Sequence, residues 1–144
     1  MFQRTLAGLI GLATASGLGL SPALADPAAE RSAILDTLAK EAKAEDPGFA
    51  GFSAQRGETL YMTEWSPGSK TPACATCHTT DPRQQGRNAK TGRPIEPMAV
   101  SAKPDRFTDP DEVAKQFRRD CDKVLGRACT ATEKGDYITF LAGQ

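Results

Sequence analysis

Apolar side chains recur at helical spacing along much of this chain. Residues 28–45 set Ile34, Leu35 and Leu38 among Ala, Lys and Glu, which predicts an amphipathic helix ended by Asp46-Pro47-Gly48. A second helix is predicted over about 53–63, where Phe52, Leu60 and Tyr61 share a face. Gly57 lies inside it, either where another backbone comes close or as a weak point costing ~1 kcal/mol against Ala. From Ser66 to Pro110 the periodicity fades and Pro, Gly, Thr and charged residues dominate. A polar loop this long is uncommon in a compact domain unless it carries function or lines a ligand, so it reads as chain wrapped around something. The next helix has clear start signals: Asp109 as N-cap, Pro110 at the first helical position, and Glu112 completing a capping-box-like pattern. Val113, Phe117, Asp120, Cys121 and Val124 follow at i, i+4, i+7, i+8 and i+11, which puts Asp120 on an apolar stripe. Thr130 or Thr132 caps a last helix with Tyr137, Ile138 and Leu141 on its buried side. The pattern predicts an all-α domain, four or five short helices around a central ligand.

The N-terminal segment stands apart from that pattern. Arg4 is followed by the apolar run Leu6 to Leu20 and by Ala23-Leu24-Ala25, an A-x-A cleavage site. Residues 1–25 therefore read as a cleaved secretory signal peptide, with 26–144 as the mature domain. The apolar run is shorter than the ~20 residues a membrane span needs, and no later run is longer. The expected compartment is an oxidising one, the bacterial periplasm, with no membrane span after cleavage. Composition adds exclusions. The 144 residues carry 18 basic and 18 acidic side chains with 39% hydrophobic content, an ordinary globular domain with no basic footprint for nucleic acid. A single His excludes multi-His metal sites and paired catalytic imidazoles. So small a domain usually needs a staple or a cofactor.

Cys74-Ala75-Thr76-Cys77-His78 is a C-x-x-C-H motif. Two thiols on one helical turn each add across a haem vinyl group, and the His after the second Cys becomes the proximal iron ligand, giving one covalent haem c. A thioredoxin-type pair would want a strand-to-helix setting that the pattern lacks. A zinc site would need Cys121 and Cys129 as its other half, and their seven-residue gap exceeds ordinary ligand spacing. In an exported protein those two are expected to form a disulfide, with a redox-active pair near the haem as the alternative. The opposite haem face decides the function. Bis-His ligation is excluded, leaving Met98, Asp120, Met62, a Lys, water or nothing. Met98 would make a plain low-spin electron carrier; otherwise it is a gap-filling side chain. A buried carboxylate at Asp120 costs several kcal/mol unless paired or metal-bound. Arg118 and Arg119 are adjacent, but helical geometry is expected to point them off its face. Ferric iron would compensate the charge; alternatively the helix frays and Asp120 is solvated or pairs with Arg106 or Arg127.

These residues resemble the sphaeroides haem protein family, high-spin, class I-like bacterial c-type cytochromes, from Arg56-Gly57 to Leu141. Carrying the likeness are Thr71-Pro72-x-Cys74-x-x-Cys77-His78, Thr91-Gly92-Arg93-x-Ile95-x-Pro97 and Pro104-Asp105-Arg106-Phe107-Thr108-Asp109. Arg119-Asp120-Cys121, Val124-x-Gly126-Arg127-x-Cys129-Thr130 and Glu133-Lys134 complete it. The resemblance implies a class I cytochrome c-like fold and a distal Asn, directly before the first Cys of the disulfide, that leaves on reduction. It also implies ferrous binding of diatomic ligands such as oxygen or nitric oxide, with electrons from a dihaem cytochrome c and a membrane cytochrome b. Met98 does not supply the ligand in that family, and Asn88, the chain's only Asn, does not match the ligand position. This chain has Asp120 there instead. A carboxylate favours ferric iron more strongly than an amide does and is released by protonation as well as by reduction. Pro72, Ile95, Met98, Phe107, Val113 and Phe117 are candidate haem contacts, with Arg93 and Arg106 as candidate propionate partners. Three functions compete: a cytochrome with a displaceable distal ligand, a His/Met carrier using Met98, and, ranked last, a gas-converting enzyme.

Overall fold

Each long helix begins where a capping side chain meets the start of an apolar stripe. The computed structural model describes residues 26–144, so the export segment predicted over 1–25 lies outside it. Helix α1 (Pro27–Glu45) starts on Asp26, whose carboxylate accepts from the Ala28 N–H at 3.0 Å. Its buried stripe is Arg31, Ile34, Leu38 and Ala42, with Leu35 only half-buried. The buried Arg31 has no carboxylate partner among the described residues; its guanidinium donates to the carbonyls of Arg106 at 3.0 Å and Pro104 at 2.6 Å. That ties α1 to the chain entering α4.

Helix α2 (Ala54–Met62) starts on Ser53 and buries Gly57, Leu60 and Tyr61. It crosses α5 (Ala131–Ala142) closely enough that a Cβ on Gly57 would stand 2.0 Å from the Asp136 carbonyl oxygen. Gly57 is thus a point of close backbone approach, the first of the two readings its sequence allows. A Cβ on Gly135 would likewise lie 2.1 Å from the Phe52 ring. Asp136, 3% exposed, locks the crossing: it accepts from the Ser53 N–H at 2.6 Å and from Arg56 Nε and Nη2 at 2.6 and 2.8 Å.

Helix α4 (Pro110–Leu125) is capped by Asp109, which accepts from the N–H groups of Asp111 and Glu112. Glu112 does not turn back to complete a capping box; it pairs with Lys115 at 2.9 Å. Val113, Phe117, Cys121 and Val124 form the buried stripe, and Gly126 at φ +70° ends the helix. Helix α5 uses Thr130 as its cap, with Glu133 accepting from the Thr130 N–H at 2.8 Å and Thr130 Oγ1 from the Glu133 N–H at 3.1 Å. Tyr137, Ile138 and Leu141 are buried as the spacing predicts.

The 66–110 stretch is not all loop. It contains the short helix α3 (Cys74–His78) and an antiparallel ladder of β1 (Gly86–Arg87) on β2 (Pro94–Ile95), pairing Gly86 with Ile95 and Arg87 with Pro94. Asn88 Oδ1 accepts from the N–H groups of Lys90 and Thr91, both at 3.0 Å, and so shapes the turn between the strands. The two-residue strands are the one departure from an all-helical layout among the described residues. Tyr137 centres the core, with ring centroids 6.0 Å from Tyr61, 5.6 Å from Phe117 and 6.4 Å from Phe107. Aromatic pairs of this kind add about 0.5–1.5 kcal/mol each beyond their buried area. None of the helices among the described residues is long and apolar enough to cross a membrane.

Candidate haem site

The helix bearing both thiols is gripped from several sides. Tyr61, fully buried on α2, places its hydroxyl 3.0 Å from the His78 carbonyl oxygen and 2.8 Å from that of Thr79, sharing one proton between them. Thr79 sits at φ +65°, a conformation that costs a β-branched residue energy and persists only when its surroundings hold it. Upstream, the Trp65 N–H donates to the Pro72 carbonyl at 2.8 Å. Downstream, strand β1 presses so close that a Cβ on Gly86 would stand 2.2 Å from the Cys77 carbonyl oxygen. Sequence and packing thus hold a five-residue helix that propensity alone would not keep.

Beside α3 lies a cavity of about 400 Å³, within the range of small-ligand sites. Cys74, Cys77 and His78 line it from α3, and Val113, Phe117 and Asp120 from α4. Ile95, Met98, Arg106 and Phe107 complete the sequence-derived set that faces it. Pro72 and Arg93 do not. Pro72 lies between two lining residues, Thr71 and Ala73, and serves through its carbonyl. Arg93 is exposed in the turn just before β2 and does not line the cavity. Met62 is half-buried and also off the wall. Lining residues not anticipated from sequence include Leu60, Asn88, Lys90, Arg119 and Tyr137. The apolar spacing had already marked Leu60 and Tyr137 as inward-facing; nothing local marked Asn88 or Lys90.

Burial lowers the pKa of His78, with the Arg106 and Arg119 charges acting in the same direction and Asp120 opposing. The imidazole is therefore neutral at neutral pH and keeps a lone pair for a metal. Its Nδ1 is buried with no hydrogen-bond partner among the described residues, a cost that side-chain packing does not repay. Burial, reinforced by the Asp120 charge, pushes the Cys74 thiol up to about 12. A thiol so firmly protonated is unlike the activated thiolate of a redox pair. Among the described residues no group of three or more His, Cys, Asp or Glu is disposed to hold a bare metal ion, so the zinc reading finds no donors. An apolar-walled cavity, two unjoined sulfurs one turn apart and a neutral imidazole fit a covalently attached haem.

Asp120 differs from its sequence expectation. Its side chain is 43% exposed rather than sealed in the stripe, and it is paired with its own neighbour. Arg119 Nε and Nη2 bond to the two carboxylate oxygens at 2.7 and 2.8 Å. Adjacent helical residues diverge in direction, but the long arginine stem folds back along the cavity rim and makes up the difference. Arg106 and Arg127, the partners considered from sequence, are engaged elsewhere. Arg106 donates to the carbonyls of Pro97 and Glu96, and Arg127 to Glu133. Met98 is buried on the wall, its N–H donating to the Pro82 carbonyl at 2.8 Å. Directly after Asp120, Cys121 is joined to Cys129 with their Cα atoms 5.7 Å apart, bridging the end of α4 to the start of α5.

A mostly helical fold around such a cavity defines a mono-haem, class I-like c-type cytochrome, and it carries one covalent haem c. The chain belongs to the family of cytochrome c-type protein SHP and cytochrome c'', and residues 47–141 match the family model described as Domain of unknown function (DUF1924). It is 45% identical over 92 residues to cytochrome c-type protein SHP of Cereibacter sphaeroides, covering 63% of this chain and 70% of that one. It is 35% identical over 101 residues to cytochrome c'' of Methylophilus methylotrophus, covering 69% and 70%. The solved structure of oxidised SHP, described as an oxygen-binding cytochrome c, matches with TM-score 0.71 at 37% identity, over 79% of this chain and 96% of that one. Oxidised cytochrome c'' matches with TM-score 0.72 at 30% identity, over 81% and 95%.

Proposed function

We propose that this is an exported, periplasmic cytochrome c that exchanges electrons with partner cytochromes and, when ferrous, binds a small diatomic ligand such as oxygen or nitric oxide. The observation that carries the reading is the meeting, in one cavity, of the buried neutral imidazole of His78 with the anionic side chain of Asp120. Bound there, haem supplies a one-electron iron couple and, where its sixth position is free, a place for a diatomic molecule. Cys74 and Cys77 would hold it through thioethers, and His78 would donate an imidazole nitrogen to its iron. Asp120 offers an anionic oxygen, a donor suited to ferric charge and readily given up. Its partial exposure and its existing partner, Arg119, make the detached side chain affordable in energy. The likeness to SHP, described as oxygen-binding, and to cytochrome c'', whose solution structure is described for haem-ligand detachment, supports this reading. Ligand binding and electron exchange, rather than gas conversion, is the role we assign.

The resemblance implies a dihaem cytochrome c and a membrane cytochrome b as electron partners. Supporting an acidic partner surface, residues 82–95 carry Arg83, Arg87, Lys90 and Arg93, all exposed, and no acidic side chain.

Met98, 6% exposed and on the same wall, favours a second reading, a low-spin carrier with His78 and Met98 as axial ligands. Optical spectra of the ferric and dithionite-reduced holoprotein separate the two. We expect no near-infrared sulfur-to-iron band and a high-spin ferrous form, and an Asp120→Asn variant with an altered ferric spectrum and pH dependence. A sulfur-to-iron band with a low-spin ferrous spectrum would establish the Met98 reading instead.

A further inference from the structure

We propose that Arg119 is the latch for the detached Asp120 carboxylate, the positioning residue that sets how readily the distal place is vacated. The inference rests on the reading of Asp120 as distal ligand. Both residues line the cavity, and Arg119 holds both carboxylate oxygens at once, 2.7 and 2.8 Å from Nε and Nη2. A planar fork of this kind needs both oxygens in the plane of the guanidinium. Coordination to iron takes one of those oxygens, so binding the metal and filling the fork compete for the same atoms. Among the described residues no other cation is hydrogen-bonded to Asp120: the nearby Arg106 is committed to two backbone carbonyls.

The pairing is also specific to the acid. An amide in place of the carboxylate would present an NH₂ group to a guanidinium that has only donors, so the fork and the aspartate belong together. A carboxylate leaving the iron would otherwise stand at the rim of a largely apolar cavity with its charge unmatched. Arg119 receives it there. With Arg119 59% and Asp120 43% exposed, the pair is partly solvated, and exposed pairs of this kind shift equilibria by about two- to fivefold.

The test uses haem-loaded protein and four variants: Arg119→Met, Arg119→Lys, Asp120→Asn, and Arg119→Met combined with Asp120→Asn. The ferric optical and electron paramagnetic resonance spectra give the ratio of carboxylate-ligated to open iron, and carbon monoxide association with the ferrous form gives access. Arg119→Met is expected to move the ferric ratio toward the carboxylate-ligated form by about two- to fivefold and to slow carbon monoxide association in proportion. Arg119→Lys keeps the charge without the fork and is expected to resemble the Met variant. On the Asp120→Asn background, Arg119→Met is expected to leave the ferric spectrum and carbon monoxide association nearly unchanged, because a single amide oxygen cannot fill the fork. If Asp120→Asn alters the ferric spectrum but Arg119→Met leaves the ratio alone, the latch fails and the ligand reading stands. If Asp120→Asn leaves the ferric spectrum unchanged, the ligand reading itself fails and the latch with it. An Arg119→Lys variant indistinguishable from the parent, or equal Arg119→Met effects on both backgrounds, shows that Arg119 acts only through its charge, which overturns the proposal.

Discussion

Tyr61 shows how one hydroxyl can hold a metal-binding motif in place. It reaches the carbonyls of His78 and Thr79 from a fully buried ring, at the point where Thr79 takes its positive φ. Tyr61→Phe keeps the ring volume and leaves those two carbonyls without their donor. It is expected to destabilise the protein by about 1–3 kcal/mol in denaturant unfolding. It should also broaden the haem absorption bands as the imidazole loses its fixed backbone; unchanged stability and spectrum would remove Tyr61 from this role. Much at the residue scale was legible beforehand. The C-x-x-C-H spacing names its chemistry because covalent attachment tolerates little variation. Arg119 was misplaced because face arguments on a helix follow Cβ directions, and a long stem with a terminal fork is not bound by them. Asp136 and Arg31 were invisible for a different reason. Their partners, Arg56 and the carbonyls of Pro104 and Arg106, lie dozens of residues away, and no local pattern announces them.

Among the helices, the α2–α5 crossing is where the fold tolerates least change. Gly57→Ala would drive a methyl group into the Asp136 carbonyl at 2.0 Å and push the helices apart. We expect a loss at the upper end of the 1–3 kcal/mol typical of overpacking, seen as a lower denaturation midpoint with the slope retained. A midpoint like that of the parent would show that the crossing is looser than its geometry. The start of α5 makes a second prediction. The Arg127 fork, with help from the Thr130 N–H, holds the Glu133 carboxyl below the ordinary carboxylate range against its desolvation. A depressed folded pKa means that this stabilisation is complete above the unfolded value and fades as pH falls through the folded one. Denaturant titrations below pH 5 should thus show a smaller loss on acidification in Glu133→Gln than in the parent; equal losses would place the acid sensitivity elsewhere. Helix starts were readable from sequence because caps are local chemistry: Asp109, Pro110 and Thr130 sit where their residue types predict. The β1–β2 ladder was not, since two paired residues leave no period to detect and its turn depends on a single Asn88 side chain.

At the scale of the whole molecule, a covalent staple and a covalent cofactor stand in for a large core. The Cys121–Cys129 bridge spans a sequence separation of 8 and fastens α4 to α5 just past Asp120. Replacing both cysteines by Ser is expected to cost about 2–3 kcal/mol in the chain-entropy model, measured by denaturant unfolding of the holoprotein. A loss well below 1 kcal/mol would mean that the unfolded chain is already constrained there. The all-helical class could be read from the chain's periodicity, whereas the cavity could only be inferred as something the long polar segment surrounds. Trp65 carries a different consequence. It is the only tryptophan, fixed by its indole N–H on the Leu60 carbonyl, and it precedes Cys74 by nine residues. Even as a random coil, nine residues span only ~16 Å, a distance over which a haem attached at Cys74 would drain the excited indole. Its ultraviolet emission is therefore expected to stay dark in folded and unfolded holoprotein alike, and emission recovered on unfolding the holoprotein would overturn this. Bright emission is expected only from chains that never received the prosthetic group, so Trp65 would gauge maturation rather than folding.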